Sequence, residues 1–317
     1  MHILPKLNKT AISDFTLTYY TVIVRNKSII NSKEVIFMKT NKVISIFAAI
    51  VMTASIFTGC SGGNSAITVI SREDGSGTRG AFTELMGIAV DDVDNTVETA
   101  EISNSTSVVI QSVAGNKNAI GYISLGSLGD EVKAVNVDGI AATVDNINNG
   151  TYKVSRPFNI ATKEDLSPLA ADFVTFIMSA DGQAIVEEKG YIKASNNGAY
   201  TPSGLSGTIV VAGSTSVAPV MEVLADKYKE LNSGVTIEIQ QTGSSAGMTS
   251  TIEGACDIGM ASREVKDSEI EQGLVPTVIA MDGIAVIVNN KNEVSSLTSE
   301  QIKSIYTGEI TDWSEVQ

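Results

Sequence analysis

The sequence predicts an α/β fold in which a mainly parallel sheet carries helices on both faces. Two observations lead there. From residue 67 onward, short apolar runs of strand length alternate with amphipathic stretches of helical period. In addition, a strand, a Gly/Ser/Thr turn and a helix recur three times, over 67–79, 209–217 and 237–247. Sheets of this kind bind ligands beyond the carboxyl ends of their strands, which is where the three turns fall.

Taken in order, 67–70 reads as a buried strand and 77–86 as a helix with Ala81, Phe82, Leu85 and Met86 on one face. A second helix begins near 104–107 and presents Val108, Val109 and Val113, followed by a strand over 119–123. Short strands follow at 132–137 and 157–160, then a helix from 166 to 189 that stops at Gly190. The stretch 195–207 is rich in Asn, Gly, Ser and Pro and reads as a linker. Beyond it, 209–211 is a strand, and Val217, Val220, Met221, Leu224, Ala225 and Tyr228 form one helical stripe. Val235, Ile237 and Ile239 alternate as a strand. Residues 278–288 form a long apolar run broken by Asp282-Gly283, and 298–306 reads as a short closing helix.

The first 59 residues stand apart from this pattern. From Met38 the chain reads Met-Lys-Thr-Asn-Lys, then an apolar run over 43–57, then Thr58-Gly59-Cys60 and a Ser/Gly linker reaching residue 66. A basic start, an apolar stretch short for a membrane span and small residues before a cysteine make an export signal. Cys60 after Thr-Gly resembles a bacterial lipoprotein box, which implies cleavage before Cys60 and acylation of its thiol. A plain signal peptide with an incidental cysteine is the alternative. Residues 1–37 show no periodicity or capping pattern, so Met38 is the expected start.

Cleavage there leaves 258 residues, enough for two small lobes or one large domain. Residues 1–59 hold seven Lys/Arg and two Asp/Glu, so the remainder carries 15 basic and 34 acidic residues, a net charge of −19. Such a surface disfavours nucleic acid and anionic membranes as partners. Any anion must therefore be captured locally, by dipoles and hydrogen bonds. The only histidine, His2, lies in the removed segment, so no Ser-His-Asp or Cys-His mechanism and no imidazole metal ligand is available. Cys256 has no cysteine partner once Cys60 is lipidated and reads as a small core residue.

The three turns supply the local capture. Each aims unpaired N–H groups and short hydroxyls at a helix N-terminus, where the dipole is positive. Only one turn contains an arginine, Arg72, which points to a small oxyanion held largely by neutral donors. In Ser71-Arg-Glu-Asp-Gly-Ser-Gly-Thr-Arg79, Arg72 can place a planar fork on two oxygens of a tetrahedral anion. Ser76, Gly77 and Thr78 open the helix, Gly75 and Gly77 permit close backbone approach, and Asp74 is placed to orient Arg72.

Gly213-Ser-Thr-Ser216 and Gly243-Ser-Ser245 are weaker alone, because Ser or Thr before a helix is first of all a cap. Asp257-Ile-Gly-Met-Ala-Ser262 ends a strand with another hydroxyl. Asp282 puts a carboxylate inside an apolar run, where it either pairs structurally or accepts a hydrogen bond from a protonated ligand oxygen. The second role would favour hydrogen phosphate over sulfate. Gly243-Ser-Ser-Ala-Gly247 matches a nucleophile elbow in form but lacks a histidine base, and no P-loop pattern occurs.

These motifs resemble the phosphate-binding receptors of bacterial ABC transporters over nearly the whole mature chain. The resemblance rests on Ser71-Arg-Glu-Asp-Gly-Ser-Gly-Thr-Arg79, Ala119-Ile-Gly-Tyr-Ile, Gly213-Ser-Thr-Ser-Val-Ala-Pro, Asp257-Ile-Gly-Met-Ala-Ser-Arg-Glu, Met281-Asp-Gly-Ile-Ala-Val-Ile-Val-Asn and Tyr306-Thr-Gly-Glu-Ile-Thr-Asp-Trp. It implies a two-lobed periplasmic-binding-protein fold of class II type, with a hinge and a central cleft. It also implies a lipid-anchored extracytoplasmic receptor, monomeric, without cofactor, bound metal or catalysis, that delivers inorganic phosphate to an ABC permease and its ATPase. Thr215, Ser216, Ser244 and Ser262 would bind from one lobe, and Arg72, Ser76, Gly77 and Thr78 from the other.

Two departures stand out. Many relatives carry an aspartate after the serine matching Ser262, where it accepts the phosphate proton; here Arg263 stands there, leaving Asp282 as the substitute acceptor. The segment order also differs. In the common arrangement Gly-Ser-Thr-Ser opens the mature protein and Tyr-Thr-Gly-Glu-Ile-Thr-Asp-Trp runs into Ser-Arg-Glu-Asp. The chain therefore resembles a circular permutant rejoined through 195–207, a truncated tandem protein being the alternative. One lobe would be split between 66–130 and 283–317, and the other would be continuous over 131–282. Receptors for sulfate, molybdate or tungstate, and a surface sensor or adhesion protein on the same fold, are the competing functions.

Overall fold

The computed structural model describes residues 65–91 and 93–316. The export signal and Cys60 lie outside the described residues.

β1 (Thr68–Arg72) leads through the Ser76 cap into α1 (Gly77–Leu85). A small hairpin, β2 (Ala89–Val90) with β3 (Val93–Asp94), precedes β4 (Glu101–Ser103), α2 (Thr106–Gly115) and β5 (Ala119–Ser124). β6 (Val132–Ala134), β7 (Asn136–Val137) and α3 (Val144–Asn148) complete this part. β8 (Ser155–Lys163) then crosses into a second part. It holds α4 (Pro168–Ile177), α5 (Ala180–Glu188), β9 (Ile192–Lys193), β10 (Gly207–Gly213), α6 (Ala218–Leu231), β11 (Val235–Gln241), α7 (Ser244–Ile252), β12 (Ile258–Ala261) and α8 (Asp267–Ile270). β13 (Leu274–Asn289) returns to the first part, which ends with β14 (Ser296–Leu297) and α9 (Ser299–Thr307).

One ten-stranded sheet path, β11-β10-β12-β8-β13-β5-β1-β4, runs through both parts, with β6 and β9 also on β13. The sheet is mixed rather than mainly parallel. β1 is parallel to β4 and β5, and β10 to β11 and β12, but β13 is antiparallel to β8, β5, β6 and β9. The cause is β13 itself. Its first stretch, Leu274 to Gly283, pairs with β8, and its last, Ile284 to Asn289, pairs with β5 and β6. Asp282-Gly283 therefore does not break the strand; it marks where the strand changes lobes.

Each lobe has its own apolar core. In the first, Phe82 stacks on Tyr122 at 4.0 Å, and Tyr306 closes edge-on against Phe82 at 5.0 Å. Val135, Val137, Tyr152 and Val154 pack with these rings, so the segment 132–154 sits in the first lobe although the sequence had placed it with the continuous one. Its reason is pairing: β6 lies along the far end of β13. In the second lobe, Phe173, Phe176, Met221, Leu224 and Tyr228 seat α4 and α6 on Ile209, Val211 and Ile258. Full burial of each such side chain contributes roughly 1.5–3 kcal/mol.

Local details depart from the periodicity. Leu85 is 44% exposed and Val108 38%, so α1 and α2 bury Phe82 with Met86, and Val109 with Val113. The single helix expected over 166–189 is two helices bent by 56°. Ser179 starts the second by accepting from Gly182 N at 3.1 Å, and Gly182 leaves no room for a Cβ against the carbonyls of Phe176 and Ile177. Cys256 is a buried free thiol, pushed up by burial and 3.3 Å from Thr251 Oγ1.

Candidate functional site

The three turns meet. Ser76 caps α1 by accepting from Arg79 N at 3.4 Å, which leaves Thr78 facing the second lobe. Thr78 Oγ1 lies 2.8 Å from Ser216 Oγ and 3.5 Å from Ser262 Oγ. Ser214 Oγ donates to Ser262 Oγ at 2.9 Å, and Ser244 Oγ accepts from Ser262 N at 3.2 Å. Gly77 backs onto the same pair: a Cβ there would overlap Ser244 Oγ and come within 2.9 Å of Ser262 Oγ. Only glycine lets α1 approach α7 and the end of β12 this closely.

Among the hydroxyls of the two second-lobe turns only Ser214 acts as a cap, accepting from Ser216 N at 3.2 Å and Val217 N at 3.4 Å in the turn into α6. The residue before α7 is Gly243, and no side chain caps that helix. Thr215, Ser216 and Ser244 are buried and face their counterparts across the cleft instead. Free N-terminal N–H groups of long helices carry a partial positive charge. A cluster of hydroxyls at several such termini makes a neutral cradle for an anion.

Arg72 supplies the formal charge. It is 2% exposed, and its Nη2 donates to Thr215 Oγ1 at 3.1 Å. Its guanidinium is clamped in two bonds by Glu73, Nε to Oε2 and Nη2 to Oε1, each 2.8 Å, and Nε also reaches Ser103 O at 3.2 Å. The expectation that Asp74 orients Arg72 is corrected here: Asp74 pairs with Arg79 at 3.1 Å. The physical reason is that β1 ends at Arg72, so Glu73 and Asp74 lie in the turn, where the two-residue alternation of a strand no longer sets which side chain shares the face of Arg72.

Asp282 and Arg263 are each held in ion pairs of their own. Asp282 is 1% exposed, accepts from Ser124 Oγ at 2.9 Å and Arg156 Nη2 at 3.2 Å, and is the register partner of Arg156 across β13 and β8. Burial pushes its carboxyl up to about 6 against the pull of Arg156 and Ser124. Burial likewise lowers Arg156, against the pull of Asp282. Arg263 forks onto Glu269 at 2.7 and 2.9 Å, and its Nη2 donates to Ser245 Oγ at 3.2 Å. Burial raises Glu269, and the bonds from Arg263 and Lys266 N override it and hold the carboxyl below its usual range.

A cleft of about 850 Å³ opens beside the cluster, lined among others by Gly75, Ser76 and Arg79 on one side and Arg156, Ser245 and Arg263 on the other. Of the residues singled out in the sequence, Arg72, Gly77, Thr78, Thr215, Ser216, Ser244 and Ser262 gather at one point. Ser76 sits beside it as a cap, and Asp282 lies at the lobe crossing. Two members were missed: Ser214, and Thr106 at the first turn of α2. A signal existed for Thr106, since Ser103-Asn-Ser-Thr-Ser107 repeats the strand, hydroxyl and helix pattern.

Two lobes joined by crossing strands, with helix N-termini of both facing one cluster, are the construction of a two-lobed solute-binding protein. Comparison with known proteins agrees. The PBP superfamily domain matches residues 14–181 and 198–317. The phosphate-binding protein PstS 2 of Streptococcus agalactiae is 49% identical over 291 residues, covering 88% of this chain and 99% of that protein. PstS 2 of Streptococcus pneumoniae is 48% identical over 256 residues, 79% of this chain and 88% of its own. A crystal structure of a phosphate ABC transporter phosphate-binding protein from Streptococcus pneumoniae TIGR4, 48% identical, superposes with a TM-score of 0.65. It covers 80% of this chain and 100% of that one. The chain belongs to the PBP superfamily and, within it, to the family of these PstS proteins.

Proposed function

We propose that this protein is an extracytoplasmic receptor that closes its lobes on inorganic phosphate and delivers it to an ABC permease. It is a transport receptor and not an enzyme, as its relatives named phosphate-binding proteins are. The observation that carries the site is the cluster itself, in which Arg72 and Thr78 of one lobe hydrogen-bond Thr215 and Ser216 of the other. Phosphate would be held by Arg72, Gly77, Thr78, Thr215, Ser216, Ser244 and Ser262, with Ser76 at the cap of α1. Neutral hydroxyls suit a protonated oxyanion, because each can donate or accept. They take over the proton-accepting role first given to Asp282, whose own bonds run to Ser124 and Arg156.

The lobes divide at 154/155 and 283/284, where β8 and β13 cross between the cores. Cys60 carries the lipid that keeps the receptor at the outer face of the membrane. We read the segment order as permuted; the alignments with the streptococcal PstS 2 proteins run along 99% and 88% of their lengths.

Calorimetric titration of the purified protein with phosphate and then sulfate tests this reading. Tight phosphate binding, a weak sulfate response and loss of at least two decades of affinity in Arg72→Ala are the expected results; charged hydrogen bonds of this kind contribute about 1.5–3 kcal/mol each. Heat with another tetrahedral oxyanion but none with phosphate would transfer the site to that ligand.

A further inference from the structure

Thr106 is not among the residues expected to hold the anion, yet it occupies the middle of the cluster. It stands at the first turn of the ten-residue helix α2, on the first lobe. Its side chain is not the cap of that helix; Ser105 is, accepting from Val108 N at 3.3 Å. Thr106 is 5% exposed. Its Oγ1 lies 3.3 Å from Thr215 Oγ1 and 3.2 Å from Ser216 Oγ, both on the second lobe.

Those two second-lobe hydroxyls each have one further first-lobe partner. Arg72 Nη2 donates to Thr215 at 3.1 Å, and Thr78 Oγ1 lies 2.8 Å from Ser216. The cross-lobe bonds thus form a chain, Arg72–Thr215–Thr106–Ser216–Thr78, with Thr106 at its centre. A hydroxyl has one proton and two lone pairs. Thr215 accepts from Arg72, so its own proton is free for Thr106, and the proton of Thr106 is then free for Ser216. Removing the middle hydroxyl leaves two buried hydroxyls short of a partner and unfixes their rotamers. Any loss falls on the closed arrangement, because the bonds exist only where the lobes touch.

We propose that Thr106 is a positioning residue of the anion site: it latches the closed lobes by orienting Thr215 and Ser216, and so sets the lifetime of the bound state. The inference rests on the phosphate-receptor reading. It assigns to α2 a role in binding, beside the turns before α1, α6 and α7.

The test is stopped-flow and calorimetric phosphate binding by the full-length protein, comparing wild type, Thr106→Val, Thr106→Ser and Arg72→Ala. Valine keeps the shape of threonine and removes the hydroxyl. Thr106→Val is expected to weaken phosphate about tenfold or more, almost all of it as a faster off-rate with the on-rate little changed. Thr106→Ser is expected to stay within about threefold of wild type, since it restores the hydroxyl. Melting of the ligand-free proteins is expected to be unchanged, which separates a latch from a damaged helix. Should the valine variant unfold, Thr106→Ala replaces it in the same comparison. Wild-type off-rates in the hydroxyl-free variants, with Arg72→Ala still impaired, would overturn the latch and leave the receptor standing. No phosphate binding by wild type would overturn the receptor reading, and the latch with it.

Discussion

Gly77 shows how much one hydrogen atom decides in this site. Its backbone is not in the left-handed region, so alanine fits the helix and would, in isolation, favour it. The added Cβ instead meets Ser244 and Ser262 across the cleft. Gly77→Ala is therefore expected to leave the melting temperature of the ligand-free protein within a few degrees of wild type while weakening phosphate at least tenfold. Paired calorimetry and thermal melts check this; unchanged affinity would mean that α1 does not approach α7 so closely in solution. The same scale explains why Glu73, and not Asp74, holds Arg72. Both carboxylates follow the arginine in sequence, and only the geometry at the end of β1 selects between them.

At the scale of elements, the decisive feature is the pair of strands β8 and β13, which pass between lobes at Arg156 and Asp282. Both side chains are buried and paired, and the Nε and Nη1 of Arg156 have no hydrogen-bond partner. A carboxyl near 6 in the folded protein, against an ordinary 3.8, holds its proton more tightly folded than unfolded. Its contribution to stability is thus fully present below about pH 4 and is lost as pH rises to about 6, roughly 3 kcal/mol in all. Asp282→Asn is expected to abolish that step in denaturation measured from pH 4 to 7. Arg156→Met leaves the carboxylate buried alone, an expected cost of about 3–5 kcal/mol at pH 7. The cost shrinks at pH 5, where Asp282 takes up a proton. Equal losses at both pH values would show that the pair does not titrate as described.

At the scale of the whole molecule, the stretch 195–207 matters because it joins β9 to β10. Its composition reads as a loose linker, but it is docked. Asn197 N donates to Met178 O at 2.9 Å, Ala180 N to Gly198 O at 2.7 Å, and Tyr200 N to Asp181 at 2.9 Å. Asp172 on α4 accepts from the hydroxyls of both Tyr200 and Tyr228 at 2.6 Å. Tyr200→Phe removes one charge-assisted bond at a partly buried site and is expected to lower the unfolding free energy by about 1–2 kcal/mol. Phosphate affinity should not move, because Tyr200 lies outside the hydroxyl cluster. A shift in affinity without a loss of stability would instead tie the joint to lobe closure.

Most of what the sequence by itself determined is local. Strand-turn-helix units, the hydroxyls placed at helix N-termini and the glycine that admits close approach follow from nearest-neighbour chemistry, and the structure places β1, α1, β10, α6, β11 and α7 where the pattern did. Seven of the expected binding residues lie at strand ends and helix starts, and in each lobe these point toward the place where β8 and β13 cross. Only the tertiary structure decided the rest. The antiparallel return of β13, the placement of 132–154 in the first lobe and the pairing of Asp282 with Arg156 each join segments far apart in the chain. Thr106 meets Thr215 and Ser216 across more than a hundred residues. No local periodicity encodes such contacts, because they depend on which strands pair and on how the lobes meet. The motifs predicted which groups could hold an anion, and the fold decided which of them face one another.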